Sequence, residues 1–189
     1  MIEVSKRQLM ASSRTLIAAA LLGKFGGTAR ADDLLDISQL KLTTPPTPSP
    51  SVTFLRPDGT QATLKDYLGK GIVLNFWATW CPPCVAELPS LDRLAATLAG
   101  SSIQVVAISE DLGDKAAAKV QKYYAAHAIT RLPVLIDHFG KASDAFANQG
   151  VPTTLLIDAK GNLTARFEGG TDWSSPAAQE KIKQLIGQG

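Results

Sequence analysis

Cys81 and Cys84 are the only cysteines in this chain of 189 residues, and they stand three apart in Trp80-Cys81-Pro82-Pro83-Cys84. Directly before them runs Ile72-Val73-Leu74-Asn75-Phe76-Trp77, apolar enough to be a buried strand. A thiol pair at the end of a strand is the layout of a dithiol/disulfide exchange site. With Cys84 and the residues after it in a helix, Cys81 sits at the helix N-terminus. The two side chains then lie about one turn apart on one face, a separation that permits a disulfide. The unpaired N–H groups and the dipole of a helix start favour anionic sulfur. Cys81 is therefore the expected attacking thiolate with a lowered pKa, and Cys84, one turn inside, resolves the mixed disulfide. A bridge across so short a loop constrains the unfolded chain little, and two cysteines make no disulfide framework, so the pair serves exchange rather than stapling. The chemistry requires no cofactor.

The neighbours of the pair have physical readings of their own. Pro82 and Pro83 fall in the first helical turn, where an N–H has no intrahelical partner, so they are tolerated and stiffen the loop that holds the sulfurs. Trp80 is placed to cover the sulfurs and to offer a flat docking surface, while Trp77, inside the strand, suits core packing. His127 and His138, the only histidines, are not spaced with a cysteine in a zinc pattern and read as structural or exposed. Lys160-Gly161 reads as turn chemistry, and Trp173 falls in a polar loop as a residue that packs on the last helix.

Around the pair the pattern alternates. Val52–Leu55 and Gln61–Leu64 flank the turn Arg56-Pro57-Asp58-Gly59 and read as a hairpin. Residues 82–98 carry Leu88, Leu91, Leu94 and Leu98 at helical spacing, with a kink expected at Pro89. A second apolar strand at 103–108 and a helix at 115–126 follow, then a short strand at 133–136 and a helix at 141–147. A hairpin at 153–157 and 163–167 and a helix at 177–186 close the chain. Helices and strands in this order give an α/β domain over residues 52–189 with a mixed sheet covered on both faces.

The charge is uneven. Residues 1–31 hold five basic groups and one acid, leaving 14 basic against 16 acidic residues in the rest, so the body is near neutral and nothing points to nucleic acid. A basic start through Arg14, the apolar run Leu16 to Leu22 and Ala29-Arg30-Ala31 read as a signal peptide over residues 1–31. Ser5-Lys6-Arg7 resembles a twin-arginine signal with Lys in place of the first Arg. The apolar run is too short to span a bilayer, no cysteine near the cleavage site offers a lipid anchor, and an exported, periplasmic location with no stable membrane span is expected. Residues 32–51, with four prolines at 45, 46, 48 and 50, read as an extended linker, since proline disfavours helix and strand alike.

The stretch Val73 to Pro89, followed at a distance by Gly150-Val151-Pro152-Thr153-Thr154, resembles the thioredoxin superfamily. More narrowly it is similar to the exported TlpA/ResA-type thiol–disulfide oxidoreductases, over about Val52 to Gly189. The resemblance implies a thioredoxin-like fold with an added N-terminal hairpin and Cys81 at the functional edge of the sheet. It also implies a cis peptide bond before Pro152 beside the disulfide, and a Val151 backbone offered to a bound substrate strand. Many thioredoxins carry a buried aspartate as proton acceptor where this chain has Asn75, which cannot take up a proton at ordinary pH. Glu87 can. It lies three residues beyond Cys84 on the same helix face, and the family pattern places a glutamate there with a proline two residues on, as in Glu87-Leu88-Pro89. Partly desolvated and with a raised pKa, Glu87 is expected to accept and return the proton of Cys84.

The expected activity is reduction of disulfides on protein clients by a monomeric exported enzyme, with electrons from a membrane dithiol donor. By resemblance the clients include apocytochrome c awaiting haem or a metal-site assembly protein. The same site run backwards is a disulfide donor, the sign being set by potential. What favours reduction is the resemblance alone, especially the Glu87-Leu88-Pro89 element and the lack of an inserted helical domain between Val106 and Pro133. A third reading is a copper metallochaperone using the two thiolates and a histidine, but such proteins resemble a C-x-x-x-C spacing one residue longer. A peroxidase reading fails because Thr79 lies only two residues before Cys81, not three.

Overall fold

The computed structural model describes residues 34–187, and the leader read over residues 1–31 lies outside them. A 3-10 turn at Ile37–Gln39 leads into β1 (Lys41–Pro48), β2 (Thr53–Leu55), β3 (Gln61–Thr63), β4 (Gly71–Trp77) and α1 (Pro82–Thr97). Then come β5 (Ile103–Ser109), α2 (Ala116–Ala126), α3 (Lys141–Ala145), β6 (Thr153–Ile157), β7 (Asn162–Glu168) and α4 (Pro176–Ile186). Five strands form one mixed sheet in the order β1-β7-β6-β4-β5, and β2 with β3 forms a separate hairpin. The mixed sheet and the separate hairpin are those expected from the sequence.

β4 is buried at every residue because it has strands on both sides and cover on both faces, which is why its sequence is continuously apolar rather than alternating. It pairs parallel with β5, Trp77 opposite Ser109, and antiparallel with β6, Phe76 opposite Thr153. Successive side chains leave on opposite faces. Val73 and Trp77 join Leu88, Leu91, Val120, Tyr124 and Ile182 from α1, α2 and α4. Ile72, Leu74 and Phe76 pack instead with Phe54 of the hairpin and with Ala142 and Phe146 at α3. The helix α1 runs on through Pro89, whose missing N–H leaves the Val85 carbonyl without its intrahelical donor.

The linker read over residues 32–51 is corrected by β1. Lys41 pairs with Arg166 and Leu42 with Ala165, and beyond a register shift that contains the cis Thr44–Pro45 bond, Thr47 pairs with Leu163. An edge strand uses only one row of its backbone groups, so proline is tolerated there although it is excluded from central strands. The same prolines blunt the open edge against further pairing. The strand read at 133–136 reduces to Ile136 alone, bridged to Leu55 and Ser109. Among the described residues no helix is long and apolar enough to cross a membrane.

Candidate active site

Where β4 ends, the backbone turns through Ala78-Thr79-Trp80 and enters α1 with Cys81 as its N-cap. Cys81 and Cys84 form a disulfide across Cα atoms 5.3 Å apart, and the Cys84 N–H donates to Cys81 Sγ at 3.3 Å. That N–H is one of the orphan donors of a helix start, so it is free to serve sulfur. Across the site the Val151–Pro152 peptide is cis, as the resemblance implied, and the Val151 carbonyl oxygen lies 3.5 Å from Cys81 Sγ. Thr153 Oγ1 donates to the Gly150 carbonyl at 2.7 Å and closes the turn that presents this peptide. Both sulfur residues are buried, while Trp80 beside them is 61% exposed. Trp77 is fully buried and stacks on Tyr124 with ring centroids 5.6 Å apart, as its place inside the strand suggested, whereas Trp80 lies open at the surface.

Three residues beyond Cys84 on α1 lies Glu87, wholly buried rather than partly desolvated as expected from the sequence. Its Oε1 accepts from Asn75 Nδ2 at 2.8 Å, and its Oε2 accepts from Trp173 Nε1 at 3.0 Å and from the Thr171 N–H at 3.2 Å. Burial pushes the carboxyl up to about 8, against the pull of its three donors, Asn75 first, then Trp173 and Thr171. Asn75 Nδ2 also donates to Thr154 Oγ1 at 2.9 Å, while Asn75 Oδ1 is buried with no partner.

Two participants escaped the sequence reading. Trp173 lies in the loop before α4, as read, but its side chain is wholly buried. Its ring meets Phe167 edge-on at 5.4 Å, and its backbone N–H donates to Ser90 Oγ at 3.0 Å, which in turn donates to the Glu87 backbone carbonyl at 2.7 Å. The available signal was the residue type, since an indole carries too much apolar area to be left in water and its N–H needs an acceptor once buried. Asp111 is the other. Its carboxylate accepts from the Thr79 N–H (2.9 Å), Thr79 Oγ1 (2.6 Å), Ser109 Oγ (2.8 Å) and Lys119 Nζ (2.6 Å). Burial alone would raise this carboxyl, but Lys119 and Thr79 outweigh it and hold it below the ordinary value. Asp111 thereby ties the end of β5 to the residue two before Cys81.

The remaining candidates lie apart. His127 is exposed and stacks on Tyr123, and His138 sits edge-on to Phe139. Among the described residues no three His, Cys, Asp or Glu side chains are placed to share a metal ion. Lys160-Gly161 forms the β6–β7 turn, where the Asp158 carboxylate accepts from the Lys160 and Asn162 N–H groups.

Residues 46–166 match the model of the AhpC/TSA family. The chain belongs to the AhpC/TSA family. Among curated family relatives, "Thiol-disulfide oxidoreductase ResA" of Bacillus thuringiensis subsp. konkukian is 31% identical over 128 residues, 68% of this chain and 70% of that protein. The protein of the same name from Geobacillus thermodenitrificans is 29% identical over 181 residues, 96% of this chain and 97% of its own length. Among solved structures, the exposed lipoprotein thioredoxin Etrx1 of Streptococcus pneumoniae superposes with a TM-score of 0.61 at 30% identity, over 72% of this chain and 100% of that one. A putative thiol:disulfide interchange protein DsbE from Chlorobium tepidum gives 0.61 at 26% identity, over 74% and 93%. Within the family the chain is thus of the thioredoxin-like, thiol–disulfide oxidoreductase kind.

Proposed function

We propose that this protein is an exported protein-disulfide reductase that works through Cys81 and Cys84. The Cys81 thiolate attacks one sulfur of a client disulfide, a Cys81–client bond forms, and the other client sulfur leaves as a thiolate. Cys84 gives its proton to Glu87 and attacks Cys81 Sγ, which expels the second client thiolate and leaves the Cys81–Cys84 disulfide. Two electrons pass to the client, and Glu87 returns the proton. A membrane dithiol donor then reduces the pair for the next cycle. The exposed Trp80 ring and the Val151 backbone next to Cys81 form the client's docking surface, and the clients are disulfide-bearing proteins of cytochrome c or metal-site maturation. Export rests on the leader in residues 1–31 and on relatives that include an exposed lipoprotein thioredoxin.

The observation that carries the direction is the wholly buried Glu87 three residues from Cys84. A strong oxidant gains its oxidising power from a stabilised reduced form. Here the donor against Cys81 Sγ, among the described residues, is one backbone N–H, and the buried ionisable group three residues beyond Cys84 is a carboxyl, not the cation that would stabilise thiolate. The test is the reduction potential, read from free thiols after equilibration with glutathione or dithiothreitol buffers. A value near or below about −220 mV supports the reductase, and one near about −120 mV reverses it to a disulfide donor.

A further inference from the structure

Loop Gly169–Trp173 delivers two of the three donors to Glu87, and it is gripped from its outer side by the residues that precede β1. The Leu35 N–H donates to the Gly170 carbonyl at 2.7 Å, and Thr171 Oγ1 donates to the Leu35 carbonyl at 2.7 Å. These two bonds straddle the peptide whose N–H, that of Thr171, donates inward to Glu87 Oε2 at 3.2 Å. The leucine side chains close on the glycine pair. A Cβ on Gly169 would lie 2.6 Å from Leu35 Cδ1, and one on Gly170 would lie 3.1 Å from Leu34 Cδ2 and 3.0 Å from the Pro83 carbonyl oxygen. Leu34 and the Pro83 carbonyl of the Cys-Pro-Pro-Cys turn thus both close on Gly170. The closeness needs glycine at both positions, since any side chain would push the leucines off.

We propose that Leu34–Leu35 is a positioning element of the redox site, which acts through Thr171 to hold a backbone donor against Glu87. The inference rests on the reading of Glu87 as the proton acceptor for Cys84. Asn75 and Trp173 donate to Glu87 from side chains fixed in the core, whereas the Thr171 N–H keeps its aim only while the loop is held. The polar groups that reach the Glu87 carboxyl are Asn75 from β4 and Trp173 and Thr171 from the loop, and Cys84 stands three residues before it on its own helix. The charges nearest in the chain are exposed and otherwise engaged: Asp36 caps Ser38, and Asp172 pairs with Arg93 at 3.7 Å. A donor to a carboxylate favours the ionised form, so releasing the strap raises the proton affinity of Glu87 and reduces the ionised fraction that can accept from Cys84.

The experiment compares the pH profile of the resolving step in the full chain, followed with a model disulfide peptide, for wild type, Thr171→Val, Thr171→Ser and Leu35→Pro. Thr171→Val keeps the N–H but loses the hydroxyl that grips Leu35; Leu35→Pro removes the N–H that grips Gly170. Both variants are expected to move the midpoint up by about half a unit, which is roughly threefold in rate at pH 7 and nothing at pH 9.5, while Thr171→Ser follows wild type. Cys81 alkylation rates should stay unchanged in all four. A Thr171→Val profile that overlays wild type at an unchanged melting temperature overturns the inference, and Leu35→Pro gives the same reading if the valine variant fails to fold. Glu87→Gln tells the two levels apart: if its profile matches wild type, the proton role of Glu87 falls and the strap's role with it.

Discussion

Glu87 is held between two opposing tendencies, burial that favours the neutral acid and three N–H donors that favour the anion. Asn75 is suited to both outcomes. Its Nδ2 donates to Oε1 and to Thr154, as an ionised Glu87 requires, and its Oδ1, buried with no partner, is the acceptor that an amide rotation would present to a protonated Glu87. An aspartate at this position would add a second carboxyl 2.8 Å from the first and split the titration into two coupled steps. A consequence for stability follows from the raised pKa. A carboxyl that titrates near 8 in the folded chain and at its ordinary 4.5 in the unfolded one binds its proton more tightly when folded. Its contribution is fully present below pH 4.5 and is lost as pH rises through about 8, by up to about 5 kcal/mol. Glu87→Gln should abolish that slope, so the variant gains on wild type as pH rises from 5 to 9 in urea unfolding. Parallel curves for the two proteins would mean that another group titrates.

Among the elements, the parallel β4–β5 pair decides where the redox turn begins, because its register sets Trp77 beside Ser109 and so brings Asp111 to Thr79. Asp111→Asn loses one charged acceptor from a buried four-donor arrangement and leaves Lys119 without its partner. The expected cost is about 1–3 kcal/mol in chemical unfolding, with client exchange slowed about tenfold as the turn before Cys81 loses its fixed position. Full exchange rate at reduced stability would show that the clamp serves folding alone. Which parts were legible in the sequence follows from the range of the interactions. β4, the capped start of α1 and the β6–β7 hairpin are written in local spacing and were read correctly. β1 was not, because its prolines speak against a strand until β7 is seen to need only one row of its groups. Asp111 and Trp173 were missed because their partners lie 32 and 86 residues away, a distance that no local periodicity spans. Glu87 was singled out by its helical spacing from Cys84 together with the family's glutamate–proline pattern, yet the extent of its burial depends on the loop that folds back over it.

For the whole molecule, folding and redox poise are one equilibrium seen from two sides. A folded chain that favours the disulfide more than the unfolded chain does has a lowered potential, and by the same amount its oxidised form is the more stable; for two electrons about 30 mV corresponds to about 1.4 kcal/mol. The fold here surrounds both sulfurs with core. Cys81 and Cys84 belong to the same buried cluster as Trp77, Leu88 and Phe167, an apolar setting that accommodates a neutral disulfide more readily than two exposed thiols. Because residues 32–189 are near neutral overall, little long-range field is available to offset that preference. The oxidised protein is therefore expected to outlast the reduced one in denaturant, and the gap should widen above pH 8, where an ionised Glu87 disfavours a second negative charge beside it. Paired guanidinium titrations of the oxidised chain and of the chain held in dithiothreitol measure the gap directly. If the reduced form is instead the more stable by several kcal/mol, the pair is an oxidant whatever its relatives are named, and the client must donate electrons rather than receive them.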